Sequence, residues 1–356
     1  MITNNIEYIP ENCLLELGFK CNLNCKHCGS SLNGYKEVRK GRTLTKNEVF
    51  QFIDELKSLG GKRLGLVGGE PLLCEYWEEV ARYASEREFQ LSMISNGMLI
   101  DDNTAKRIKE AGITLVALSL DGDREFHNEL RGNEKAYDKV IGAISLLKKQ
   151  NVQVNIITTI MNDNLKLLPA VEKILGKEKI GFWQLQLGIP MGKLKENKEK
   201  VIKPNQLKEI ESFILSAKER KLVEITVADS IGYCSKSELS LRNNVSTDGN
   251  RFFYGCMAGI RGVSMESNGN IKGCLSLQDD TFIEGNYLES SLSEIWNSKN
   301  AFSYNRKFNV EKLEENCKGC KYGEVCRAGC TTLAFNTSGS VNMNEYCLHQ
   351  LEEKEQ

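Results

Sequence analysis

From residue 13 to about residue 220, short apolar runs alternate with longer stretches in which apolar residues recur every three or four positions. The runs at residues 14–19, 64–67, 90–94, 114–119, 152–160 and 182–187 are rich in Leu, Val and Ile and short enough to predict strands. Between the first two, Val49, Phe52, Ile53 and Leu56 fall on one face of a helix. Thr45 and Glu48 mark its start as a capping box, in which each side chain satisfies the other's backbone N–H. Gly112 after Ala111 and Gly176 after Leu175 predict helix ends, because glycine accepts the left-handed turn that stops a helix. Strands alternating with helices predict an α/β fold built on a parallel sheet.

Beyond residue 220 the alternation stops. A strand-like run at 223–227 leads into Ala228, Asp229, Ser230, Ile231, Gly232, Tyr233 and Cys234, and from Cys256 onward the chain is rich in glycine and cysteine. Such a segment is expected to bury little core and to draw folding energy from metal ligation. The expected organisation is a core at 1–220, a bridging region at 221–255 and a cysteine-rich domain at 256–356.

Composition narrows the function classes. With 40% hydrophobic and 27% charged residues, the chain reads as a soluble globular protein with a substantial core. The formal net charge of −1 lacks the basic excess of a nucleic-acid binder. Lysines between Lys193 and Lys208 are interleaved with glutamate and asparagine, the pattern of a solvated loop. The start has neither a basic n-region nor a long apolar stretch, so no signal peptide or membrane partner is expected. Thirteen cysteines without an export signal point to a reducing compartment, hence a cytoplasmic, oxygen-sensitive protein.

Ten of those cysteines fall into two groups. The first is Cys21, Cys25 and Cys28, a CxxxCxxC loop directly after the first predicted strand. The second runs Cys256, Cys274, Cys317, Cys320, Cys326, Cys330 and Cys347. Thiolates at such spacings converge on soft metals or iron–sulfur clusters. Three ligands on the first loop leave one iron of a [4Fe–4S] cube open to a substrate or cofactor. A zinc knuckle using His27 as fourth ligand is the bland alternative, but adjacent residues rarely reach one tetrahedral ion together. Cys13, in a predicted strand, and Cys74, after Pro71, read as inert.

The CxxxCxxC loop with His27, the Gly68-Gly69-Glu70-Pro71 motif, the Ser95-Asn96-Gly97 turn and the Ser119-Leu120-Asp121-Gly122 turn, in this order, resemble the radical S-adenosylmethionine (SAM) enzymes. The C-terminal pattern resembles their SPASM extension: Cys256, Gly269 and Cys274, then CxxCxxxxxCxxxC from Cys317 to Cys330, then Cys347. The resemblance implies a partial (β/α)6 TIM-like barrel with a C-terminal auxiliary-cluster domain. The motifs follow strand ends, the face on which barrels build active sites. It also implies cofactors: SAM, a [4Fe–4S] cluster with an open iron on Cys21, Cys25 and Cys28, and two auxiliary clusters.

Residue by residue, the resemblance implies that His27 packs beside the adenine and that Gly68, Gly69, Glu70 and Pro71 hold the amino group of SAM. Ser119 and Arg131 would contact its carboxylate, and Asn96 would lie near its methionine or ribose. Arg131 equally fits a surface ion pair. Cys317, Cys320, Cys326 and Cys347 would hold the distal auxiliary cluster, and Cys256, Cys274 and Cys330 the nearer one, with Cys234 the free candidate for its fourth ligand.

SPASM resemblance implies a peptide or protein substrate, so the expected activity is hydrogen abstraction that crosslinks a ribosomally made peptide. Flavodoxin or ferredoxin is the expected reductant. Cys21 comes too early for an N-terminal leader-recognition domain, so either a separate leader-recognition protein is a partner or the barrel mouth binds the substrate unaided. Sulfatase maturases of this type place an aspartate after the second SPASM cysteine, where this chain has Leu275. A haem-pathway decarboxylase would need cationic residues to meet propionates. From a different class, a polyferredoxin-like carrier or a zinc-binding interaction module would use the cysteines but has no use for the barrel motifs.

Overall fold

The structure, a computed structural model, describes residues 7–30, 42–242 and 252–355. All six expected strands form, as β1 (Asn12–Glu16), β2 (Arg63–Val67), β3 (Gln90–Ser95), β4 (Leu115–Ser119), β5 (Gln153–Ile160) and β6 (Phe182–Leu187). They pair in parallel in chain order. The helices between and after them include α1 (Lys46–Ser58), α2 (Trp77–Glu86), α3 (Asp102–Glu110), α4 (Arg124–Arg131), α5 (Ala136–Lys149), α6 (Leu168–Lys177) and, beyond β6, α7 (Leu207–Arg220). The α1 capping box forms, and Val49, Phe52, Ile53 and Leu56 are its buried face.

β5 shows how the pattern works. Val154, Ile156, Thr158 and Ile160 are buried, while the residues between them are half-buried, the period of two expected of a pleated strand. On its buried face Trp183 of β6 donates from Nε1 to Thr158 Oγ1 at 2.8 Å.

Gly112 takes the left-handed turn after α3, with φ of 86°. Gly176 does not end its helix, contrary to expectation: α6 continues to Lys177, and Lys179 makes the left-handed turn. Packing explains the glycine instead, since a Cβ there would stand 3.3 Å from the Leu222 Cβ.

The sheet does not stop at the sixth strand. β7 (Glu224–Val227) adds in parallel to β6. On the opposite edge β8 (Gly262–Met265) pairs in parallel with β1, followed by antiparallel β9 (Asn270–Lys272) and β10 (Gly285–Asn286). One ten-stranded sheet therefore runs in the order β10-β9-β8-β1-β2-β3-β4-β5-β6-β7.

The cysteine-rich segment accordingly buries more than its composition suggests. Val263, Met265, Ile271, Trp296, Phe302 and Leu333 join the same hydrophobic cluster as Leu15, Leu66 and Phe52. The open edge of β1 is the reason, because it gives β8 a ladder to dock on and a core to share. Residues 243–251 of the expected bridging region lie outside the described residues. Among the described residues no helix is long and apolar enough to cross a membrane.

Candidate functional site

All four barrel motifs sit at the C-terminal ends of neighbouring strands: the cysteine loop after β1, Gly68 to Pro71 after β2, Ser95 to Gly97 after β3 and Ser119 to Gly122 after β4. The glycines bring the first two together. Gly69 N–H donates to the Gly18 carbonyl and Glu70 N–H to the Lys20 carbonyl, both at 2.8 Å. A Cβ on Gly68 would lie 2.4 Å from Gly18 O, and one on Gly69 2.4 Å from Lys20 O. Only glycine allows this backbone-to-backbone approach. Further along, Lys26 N–H donates to Leu130 O at 2.8 Å, and Lys193 N–H to Cys28 O at 3.1 Å.

Glu70 is buried and linked to the next motif. Ser95 Oγ donates to its Oε1 at 2.8 Å, and Asn96 N–H to its Oε2 at 2.9 Å. Burial nevertheless pushes its pKa up to about 7, against these hydrogen bonds. Asn96 in turn donates from Nδ2 to Asn22 Oδ1 at 2.8 Å, and the same nitrogen lies 3.7 Å from Cys21 Sγ. Ser119 is half-buried at the end of β4.

Arg131, at the end of α4, is not a surface ion-pair partner. Its guanidinium is buried against Asp121, with Nε and Nη2 at 2.9 and 2.5 Å from Oδ2. Nη1 points to Cys25 Sγ at 3.7 Å. His27 Nε2 and His127 Nδ1 face the same carboxylate at 4.0 and 3.7 Å. Burial opposes the charge on Asp121, but the Arg131 guanidinium with both imidazoles outweighs it and holds the pKa at about 2. Burial pushes the two imidazoles down, to about 4 for His27 and about 3 for His127. Thus a buried ion pair stands beside two neutral histidines, and His27 Nδ1 has no hydrogen-bond partner among the described residues.

Asp121 and His127 are the residues that motif reading passed over. Asp121 stood inside the 119–122 turn, but its role depends on Arg131 arriving from α4, and on Thr159 N–H at 3.1 Å from β5. Nothing local to Asp121 announces either partner.

The donor set of the first loop fits an iron–sulfur cluster. Burial first, and then the neighbouring thiols, raise the pKa of Cys28, and burial, Glu70 and Cys25 raise that of Cys21. N–H groups of Asn96 and Arg131 are aimed at two of the sulfurs, the hydrogen bonding that tunes a cluster's potential.

The remaining cysteines sort into two sets. The Cys330 thiol is raised by burial first, then by the charges of Cys256, Asp229 and Cys274 around it. Cys234, Cys317, Cys320, Cys326 and Cys347 line one cavity, together with Tyr233. The structure therefore brings Cys234 to the Cys317, Cys320, Cys326 and Cys347 set rather than to Cys256, Cys274 and Cys330. Tyr233 ties the sets to the barrel. Its hydroxyl donates to Asp229 O at 2.6 Å and accepts from Cys330 N–H at 3.1 Å.

Asp229 lies two residues beyond β7, at the same end as the four barrel motifs. Its carboxylate has no hydrogen-bond or ion-pair partner among the described residues. Solvent reaches it, but it stands in a recess crowded by protein, and that burial raises its pKa.

Comparison with known proteins agrees with this geometry. Residues 15–169 match the radical SAM superfamily, and residues 256–321 match the SPASM iron–sulfur cluster-binding domain. The chain is 28% identical to an AdoMet-dependent heme synthase of Methanosarcina barkeri, over 94% of this chain and 95% of that protein. It is 24% identical to a PqqA peptide cyclase of Granulibacter bethesdensis, over 94% and 86% respectively. Among solved structures, SuiB of Streptococcus suis bound to S-adenosylmethionine superposes with a TM-score of 0.73 at 16% identity, covering 95% of this chain and 76% of SuiB.

Proposed function

Because this chain belongs to the radical SAM superfamily and carries a SPASM iron–sulfur domain, we propose that it cleaves SAM reductively and turns the resulting radical on a peptide or protein side chain, forming a crosslink in a ribosomally made peptide. Cys21, Cys25 and Cys28 would hold the cluster, which when bound would supply the electron for cleavage of the S–C5′ bond of SAM to methionine and a 5′-deoxyadenosyl radical.

The chain's own part is positioning and exclusion of water. Glu70 fixes the Ser95–Asn96 turn by accepting from both residues. The exposed backbone of residues 68–71, with Ser119, would meet the amino acid end of SAM, and His27 would pack beside its adenine. Asp121 holds the Arg131 guanidinium in place, so that Arg131 serves the cysteine loop with its charge already balanced. Cys256, Cys274 and Cys330, and Cys317, Cys320, Cys326 and Cys347, would hold two auxiliary clusters able to accept the electron left on the product. Flavodoxin or ferredoxin would supply electrons, and a separate protein would present the leader of the substrate.

The observation that carries the choice of a peptide is Asp229. An unpaired carboxylate at the strand-end mouth repels the propionates of a porphyrin, and like charges facing each other cost several kcal/mol, or about a thousandfold in affinity. Arg242, the cation whose charge reaches Asp229, is tied to Glu238, and Arg131 is spent on Asp121. The PqqA peptide cyclase and the complex of SuiB with its precursor peptide SuiA are relatives whose names agree with a peptide. The full-length similarity to a haem synthase favours the second reading, a haem-pathway reaction.

One assay separates them. The reconstituted enzyme, with dithionite and SAM, is given either the short peptides encoded beside its gene or an iron porphyrin carrying propionates, and 5′-deoxyadenosine and product masses are followed. Peptide-dependent loss of hydrogen from the peptide supports the proposal. Turnover with the porphyrin alone overturns it.

A further inference from the structure

The family pattern accounts for four thiols in the distal set, and four thiols complete a [4Fe–4S] cube. This chain places five there. Cys234 is 4% exposed, lines the same cavity as Cys317, Cys320, Cys326 and Cys347, and neighbours the Cys326 thiol. The Cys347 thiol donates to Tyr233 O at 3.9 Å, so the Tyr233–Cys234 turn forms part of the cavity wall. Cys330, by contrast, takes its electrostatic neighbours from Cys256, Asp229 and Cys274.

The turn is built to hold the thiol there. Tyr233 and Cys234 are consecutive non-glycine residues with φ of 78° and 56°, a left-handed conformation that persists only when the surroundings enforce it. Here they do. Cys234 N–H donates to Glu238 Oε2 at 3.0 Å. The Glu238 carboxylate is fixed in turn by Arg242 Nε at 2.5 Å and Phe253 N–H at 3.2 Å. The Tyr233 ring is pinned by its hydroxyl between Asp229 O and Cys330 N–H.

We propose that Cys234 is a reserve ligand of the distal auxiliary cluster, placed beside Cys326 so that either thiol can complete the cube with Cys317, Cys320 and Cys347. The proposal rests on the reading that the C-terminal cysteines hold two clusters. It deepens that reading by assigning a fifth thiol outside the SPASM pattern. A ligand pair of this kind lets one iron exchange its sulfur without loss of the cluster. It also leaves the nearer set with three thiols, so a group other than Cys234 must complete that set.

The test is iron content and spectroscopy, independent of turnover. Wild-type protein and the Cys234→Ala, Cys326→Ala and doubly substituted variants are reconstituted anaerobically. Iron per chain is measured together with the electron paramagnetic resonance spectra of the reduced clusters. Each single variant is expected to keep the wild-type iron, about 12 per chain, with a shifted distal signal in Cys326→Ala. The double variant is expected to lose about four irons and the distal signal alone.

Loss of about four irons from Cys326→Ala, or from Cys234→Ala, overturns the proposal, because neither thiol would then stand in for the other. Full iron in the double variant overturns it equally. The signal of the barrel cluster reports that each variant is folded, and Cys326→Val, which likewise has no ligating atom, decides the matter should the alanine variant fail to fold. A wild-type protein without iron would instead defeat the cluster reading itself, a separate result.

Discussion

Glu70 is buried with both carboxylate oxygens engaged, and burial still raises its pKa from 4.5 to about 7. Between those values the folded chain keeps a proton that the unfolded chain releases. Stability therefore falls as pH rises through that window, by up to about 3 kcal/mol for this group. Glu70→Gln carries no such proton. Urea unfolding of SAM-free protein at about pH 5 and about pH 8 should show the wild type losing roughly that much more stability than the variant. Equal losses would show that Glu70 ionises in the folded state as it does in water. At this scale the sequence named Glu70, Asn96 and Arg131 as candidate site residues. It did not identify what each one touches. Asp121 lies ten residues from Arg131 and is held by Thr159 of another strand, and such pairings form only when separate elements fold side by side.

Among the elements, the β1 and β2 ends show how closely strand and loop must fit. Gly68 and Gly69 exist at a crossing where the backbone of the cysteine loop leaves no room for a Cβ. Gly69→Ala should cost about 1–3 kcal/mol through forced displacement of the loop. The expected result is a protein that loses about four irons, those of the barrel site, while keeping the auxiliary ones. Iron analysis with thermal unfolding checks it, and full iron with unchanged melting would mean that the loop yields without cost. The six barrel strands and the α1 cap were legible because they depend on local period and capping chemistry. Gly176 misled because glycine at a helix end and glycine under a packed neighbour look alike in a sequence. The Leu222 Cβ that decides between them lies on a different element.

The whole molecule is organised by the continuity of its sheet. β8 covers the β1 edge from Asn12 to Leu15, and Ser267 donates from Oγ to the buried Glu16 carboxylate at 2.7 Å. Residues 1–255 alone would expose that edge and the apolar residues packed on it, a template for association. The fragment is expected to elute from a size-exclusion column as aggregate, and a monomeric folded fragment would show that the barrel is autonomous. What the sequence by itself determined is everything written in local pattern: the α/β alternation, the two cysteine groups and the motifs that follow strand ends, since periodicity and spacing are properties of neighbours along the chain. Only the tertiary structure decided that β7 and β8 extend the sheet at either edge, that Arg131 and Asp121 form a buried pair, and that Cys234 joins the distal thiols. Each of these depends on which distant segments are brought within a few ångströms, and spacing along the chain carries no record of that distance.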